Sequence, residues 1–168
     1  MKLTFESNLA YQQKAIQAVV NLFEGQTLEY SDCQYNLDEA GTLDLIAGIG
    51  NRLILSEEQI LANLQKVQEQ NEIPCSDTLK DMHFSVEMET GTGKTYVYLR
   101  TIYELNKKYG FKKFVIVVPS VPIREGVLKN LQITHEHFQT LYDNTPVRFY
   151  VYDRNKICLL YTSPSPRD

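Results

Sequence analysis

The stretch FSVEMETGTGKTYVY, residues 84–98, constrains this chain more than any other. It runs apolar, turns on Gly91 and Gly93 around Thr92, and then offers Lys94 and Thr95 at the start of a helix-like pattern. A phosphate-binding loop reads G-x-x-x-x-G-K-(S/T). Gly93-Lys94-Thr95 supplies its end, while Met88 stands where the leading glycine belongs. Without a Cβ, Gly91 and Gly93 let successive backbone N–H groups turn inward and approach phosphate oxygens closely. A helix starting there points its positive end at the same oxygens. Thr90, Gly91, Thr92 and Gly93 are thus expected to cradle phosphates. Lys94 is expected to pair with β- and γ-phosphates, and the Thr95 hydroxyl to hold Mg²⁺. The plainer alternative is an ordinary glycine turn; an expected strand before it and helix after it favour the phosphate loop.

Around that loop the pattern alternates. NLAYQQKAIQAVVNLF (8–23) predicts an amphipathic helix capped by Asn8 and ended by Gly25. SEEQILANLQKVQEQ (56–70) predicts a second, with Ser56 and Gln59 as a capping box and Ile60, Leu64 and Val67 as its buried stripe. HFSVEM (83–88), FVIVVPS (114–120) and VRFYVYD (147–153) predict strands. Helices to about Tyr109 and over 122–132 fall between them. Strand–helix–strand–helix–strand order implies an α/β fold, a parallel sheet with flanking helices. Residues 26–55 fit no clear element.

Composition narrows the classes. With 168 residues, 43% hydrophobic and 23% charged, the chain reads as one soluble globular domain. A net charge of −4 gives no global basic field, although a local basic face still binds phosphates. No apolar run of about 18 residues spans a membrane, and no signal peptide opens the chain. Cys33, Cys75 and Cys158 are too far apart for a metal pair or a disulfide framework, so a reducing cytoplasm is the expected setting. His135 and His137 sit two residues apart, on different faces of a helix, and read as surface side chains rather than metal ligands. Asp153 ends an expected strand and has no visible partner.

Three features choose among nucleotide machines. TGTGKT with a non-glycine lead resembles motif I of superfamily 2 helicases and translocases. YQQKAI resembles their glutamine motif, in which one amide donates and accepts along the adenine edge; Gln12 is the better match and Gln13 the lesser. VIVVPSVPIREGVLKNL (115–131) resembles motif Ia, which implies that Ser120 and Arg124 touch a nucleic-acid backbone. Without the resemblance, Arg124 and Lys129 are solvated helix charges. Taken together, FESNLAYQQKAI, the segment from Phe84 to Ser120, and IREGVLKNL resemble the N-terminal end of the Res subunit of type III restriction enzymes. The resemblance implies a RecA-like P-loop NTPase domain, here truncated. It also implies ATP and Mg²⁺ as cofactors, double-stranded DNA as substrate and a Mod methyltransferase as partner. The parent would then be an ATP-dependent translocase coupled to DNA cleavage.

Several family parts are not found. No acidic motif II follows 147–153, and no arginine finger or nuclease domain appears. Residues 1–157 are therefore expected to be part of an N-terminal ATP-binding domain, holding ATP weakly and not hydrolysing it. CLLYTSPSPRD (158–168) breaks from everything before it. It reads either as a flexible linker or, more sharply, as the translation of a transposase-derived sequencing-library adapter, which leaves Cys158 and Arg167 without functional expectation. Rival readings are another superfamily 2 translocase, a small nucleotide kinase or GTPase, and a nucleotide-binding module without turnover.

Overall fold

The computed structural model describes residues 6–28 and 51–152. Cys33, Cys158, Asp153, Arg167 and the tail 158–168 lie outside them. Among the described residues there are four helices: α1 (Ala10–Asn21), α2 (Glu57–Gln70), α3 (Lys94–Tyr109) and α4 (Val121–Leu141).

Each helix has a local cause. α2 begins on the expected capping box. Ser56 Oγ accepts from the Gln59 N–H at 3.3 Å, and Gln59 Oε1 accepts from the Ser56 N–H at 2.9 Å. α3 runs between two left-handed glycines, Gly93 at φ 83° and Gly110 at φ 75°. α1 starts at Ala10 with Leu9, not Asn8, in the cap position. α4 extends to Leu141, well past the expected end at 132. Val127, Leu131, Thr134 and Phe138 keep an i, i+4, i+7, i+11 stripe through the polar THEH segment.

α3 is central and carries two stripes. Val97, Leu105 and Tyr109 face α1 and form one core cluster with Ile16, Val20 and Phe111. Leu99 and Tyr103 face α4 and cluster with Phe138 and Tyr142. In that second cluster the Tyr103 ring lies 4.9 Å from Phe138 and 4.9 Å from Tyr142, within the range of favourable ring pairs. Arg100 is buried between the stripes: Nε donates to the Tyr142 hydroxyl at 3.2 Å, and Nη1 donates to the Ser7 carbonyl. The Tyr142 hydroxyl in turn donates to Glu104 at 2.6 Å. Burial and that carboxylate keep the phenol protonated far above its ordinary range.

Among the described residues the expected RecA-like parallel sheet is not there. Residues 83–88, 114–120 and the described part of 147–153 contain no strand, and no backbone–backbone hydrogen bond joins these segments. An apolar β-branched run is only half of a strand; the other half is a neighbouring backbone to bond. In place of a ladder, Val115 and Val117 stand 89% and 87% exposed. The nearest substitute for pairing comes from a side chain: Asn51 Oδ1 accepts from the Lys112 and Lys113 N–H groups at 2.8 and 3.0 Å, and its Nδ2 donates to the Lys113 carbonyl at 2.6 Å.

Candidate nucleotide cleft

The buried face of α1 reads Gln12, Ile16, Val20, one residue every four. Ile16 and Val20 lock that face onto α3, and the same register carries Gln12 to the start of α3. Its Nε2 donates to the Thr92 carbonyl at 2.9 Å. Only 6% of Gln12 is exposed, and its Oε1 is buried without a hydrogen-bond partner. Gln13, one residue on, turns away and donates to the Ser7 carbonyl at 2.7 Å.

The glycine loop leads directly into α3. Gly91 and Gly93 both sit at φ 83°, a conformation that L side chains rarely adopt. A Cβ on Gly91 would meet nothing within 4 Å, whereas one on Gly93 would lie 2.7 Å from Gln12 Nε2. Glycine at 93 is thus needed both for its backbone and for the amide beside it. The Thr92 hydroxyl donates back to the Glu89 carbonyl at 2.7 Å and closes the turn.

Gln12, Thr90, Gly91, Gly93, Lys94 and Thr95 together line one cleft of about 580 Å³. Thr92 contributes its carbonyl to the same turn rather than a side chain to the wall. Lys94 is exposed on the first turn of α3 and, among the described residues, makes no ion pair. Thr95 follows it, half-buried. The helix N-terminus, the free ammonium and the loop N–H groups all favour negative charge at this point.

Four lining residues carried no site expectation: Glu6, Leu9, Tyr96 and Asn130. Glu6 and Leu9 flank the glutamine segment in sequence, so that segment already pointed to them. Asn130 comes from the middle of α4, ten residues past its cap, and no motif signals it. Ser120 and Arg124 lie on the first turns of α4 and are not among the lining residues. Ser120 occupies the cap position without a side-chain cap bond, and Arg124 pairs with its neighbour Glu125 at 2.8 Å. His137 meets the Tyr96 hydroxyl at 2.9 Å, while His135 is exposed; no group of three His, Cys, Asp or Glu gathers among the described residues. No helix among them is long and apolar enough to cross a membrane.

Residues 7–158 match the family described as type III restriction enzyme, res subunit. The chain is 35% identical over 158 residues to the EcoPI Res subunit of Escherichia phage P1, covering 91% of this chain and 15% of that protein. It is 38% identical over 161 residues to the EcoP15I Res subunit of Escherichia coli, with the same coverage of 91% and 15%. Over 65 residues it is 51% identical to the StyLTI Res subunit of Salmonella typhimurium, which is 38% of this chain and 7% of that protein. The chain therefore spans about 15% of the length of the first two relatives.

Proposed function

Because the chain belongs to the family of type III restriction enzyme Res subunits, we propose that it forms the ATP-holding part of a DNA-translocating motor coupled to DNA cleavage. The observation that carries this reading is the convergence of Gln12, the Gly91–Gly93 turn, Lys94 and Thr95 on one cleft. Loop N–H groups and the α3 terminus take up phosphate charge, and Lys94 reaches the terminal phosphates as a point cation. Gln12, bonded to the Thr92 carbonyl beside the loop, is the residue proposed to read the base.

The donor set fits Mg²⁺ held chiefly through phosphate oxygens and water, with the Thr95 hydroxyl as the protein's own ligand. Bound there, the ion would neutralise charge that develops on the phosphates. Ser120 and Arg124, exposed at the start of α4, are the residues proposed to meet the backbone of double-stranded DNA. A Mod methyltransferase in the cytoplasm is the partner proposed to supply site recognition.

Lys94→Ala tests the reading. Loss of one charged hydrogen-bond donor is worth about 1.5–3 kcal/mol, so Mg-ATP binding to this chain should weaken roughly ten- to a hundredfold. The same change in a full-length Res–Mod enzyme should abolish ATP-dependent DNA cleavage. Binding at the unmutated level would overturn the assignment of the loop.

A further inference from the structure

We propose that the C-terminal end of α3 is a second phosphate-binding surface, a lysine patch that holds the backbone of duplex DNA away from the nucleotide cleft. The inference rests on the DNA part of the reading above and adds a contact that no motif in the sequence signals.

Four lysines meet there. Lys107 and Lys108 occupy the last turn of α3, and Lys112 and Lys113 follow the left-handed Gly110 that ends it. All four are exposed. From Leu105 to Arg124 the chain holds no Asp or Glu, although its net charge is −4. Among the described residues Lys107, Lys108 and Lys113 make no ion pair, and neither does Asp143, the acid next to Tyr142. Glu104, one turn back on α3, accepts from the Tyr142 hydroxyl and lies 4.0 Å from Arg100. A helix C-terminus favours cations, which accounts for Lys107 and Lys108. Lys112 and Lys113 lie past the helix, so its dipole does not account for them.

The patch is held in place by its surroundings. Asn106 Nδ2 donates to the Phe111 carbonyl at 2.7 Å, across the Gly110 turn, and Phe111 is buried. Asn51 Oδ1 accepts from the N–H groups of both Lys112 and Lys113, and its Nδ2 donates to the Lys113 carbonyl. Lys107 Nζ sits 5.9 Å from the centre of the Tyr142 ring, and Lys108 Nζ 5.2 Å from that of Tyr109. Two amides and two rings thus keep four like charges within seven residues of chain, where they repel one another until an anion meets them.

Duplex DNA presents one negative charge per about 1.7 Å of its axis, and a lysine cluster displaces its counterions without reading sequence. On the translocation reading above, a grip indifferent to sequence is what a moving contact requires. The patch is also separate from the cleft. α3 has 16 residues, so about 24 Å of helix lies between its two ends. Salt screens exposed charges beyond about 8 Å under physiological conditions, so the lysines act on DNA and not on phosphates in the cleft. Nor is it the Arg124 contact. Along α4 the order is Arg124, Asn130 at the cleft, His137 against Tyr96, and Tyr142 beneath Lys107 Nζ. The lysines and Arg124 therefore stand at opposite ends of the α3–α4 pair.

Binding of a labelled duplex of arbitrary sequence to the full chain, read by fluorescence anisotropy across a salt series, tests the patch. One variant combines Lys107→Gln, Lys108→Gln and Lys113→Gln. A control combines Lys14→Gln, Lys66→Gln and Lys80→Gln, which removes the same charge from exposed lysines elsewhere. Each phosphate contact contributes about 0.9 to the slope of log affinity against log salt, so the patch variant should lower that slope by about 2–3. Its affinity at low salt should fall about tenfold or more, while its binding of Mg-ATP stays unchanged. The control should move the slope by less than about 1. Lys113→Gln alone, outside any helix, should lower the slope by about 1 and serves if the triple variant loses its helical circular dichroism. Equal losses in patch and control variants would reduce the effect to net charge and overturn the proposal. Tighter capture of polyglutamate or of phosphatidylglycerol vesicles than of duplex would overturn it in favour of an acidic protein or a membrane. Loss of Mg-ATP binding with the helices intact would assign the lysines to the cleft instead. Normal duplex binding by the patch variant, with a loss in Arg124→Gln, would overturn the patch and leave the DNA reading standing. An unmutated chain that binds no duplex would overturn both.

Discussion

Side-chain amides carry much of the long-range connectivity at the residue scale. Asn63 on α2 donates from Nδ2 to the carbonyls of Leu22 and Glu24, at 3.1 and 2.9 Å, and so closes the C-terminal end of α1. Gln26 does similar work nearby: its Nε2 donates to the Arg52 carbonyl at 3.0 Å and its Oε1 accepts from the Ile54 N–H at 3.1 Å. Asn63→Ala leaves the buried Leu22 carbonyl and the Glu24 carbonyl without their amide donor and should lower stability by about 1–3 kcal/mol in urea denaturation. A change within a few tenths would show that water replaces the amide. His137 adds a pH dependence. Burial, and then the Arg100 charge, hold its pKa below the ordinary imidazole value of 6.5. The unfolded chain therefore binds the proton more readily than the folded one, so stability is full above the unfolded value and falls as pH drops through it. His137→Gln should flatten the dependence of thermal midpoint on pH below that point; an unchanged slope would place the effect elsewhere. Of these residues, Gln12 was legible in sequence because a motif carries it. Asn63 and Asn130 were not, since an amide's partners are set by packing between helices and not by its neighbours in the chain.

Elements were legible where their causes are local. Ser56 and Gln59 stand three residues apart, and the capping box they predict is the one that forms. Ser56→Ala should cost about 1 kcal/mol of stability, measurable as a shift of the thermal midpoint. Gly110 likewise marks the end of α3 from its own residue type. The sheet failed for the converse reason: FVIVVPS has the composition of a buried strand, but composition supplies no partner backbone. The far half of α4 was missed because Thr134, His135 and His137 look like loop residues one by one, while the stripe through Phe138 is apparent only over three turns. Phe138 is 1% exposed, stacks on Tyr96 and meets the Tyr103 ring at a tilt. Phe138→Ala should therefore cost about 3–5 kcal/mol, a large part of a small domain's stability. A loss under 1 kcal/mol in denaturation would mean that the aromatic cluster refills the space.

Across the whole molecule, apolar surface is left outside the two cores. Val115, Val117, Tyr150 and Tyr152 are all strongly exposed, in segments without a ladder. Surface of that kind promotes self-association. Replacing Val115 and Val117 by lysine should leave helical circular dichroism unchanged and reduce light scattering at high concentration. A loss of helix would instead show that the segment contributes to the cores.

The ties that hold α1 also have an order in time. Gln12 meets Thr92, Tyr109 donates to the Val20 carbonyl at 2.9 Å, and Arg100 donates to the Ser7 carbonyl, across separations of 80, 89 and 93 residues. A chain emerging from a ribosome thus makes α1 first and can dock it only after α3 has been synthesised, since loop closure over such distances precedes any reward from contact. Until then the glutamine helix waits with Ile16 and Val20 outside their core, and the candidate cleft, which Asn130 also lines, is complete only when the chain has grown beyond α3 and well into α4.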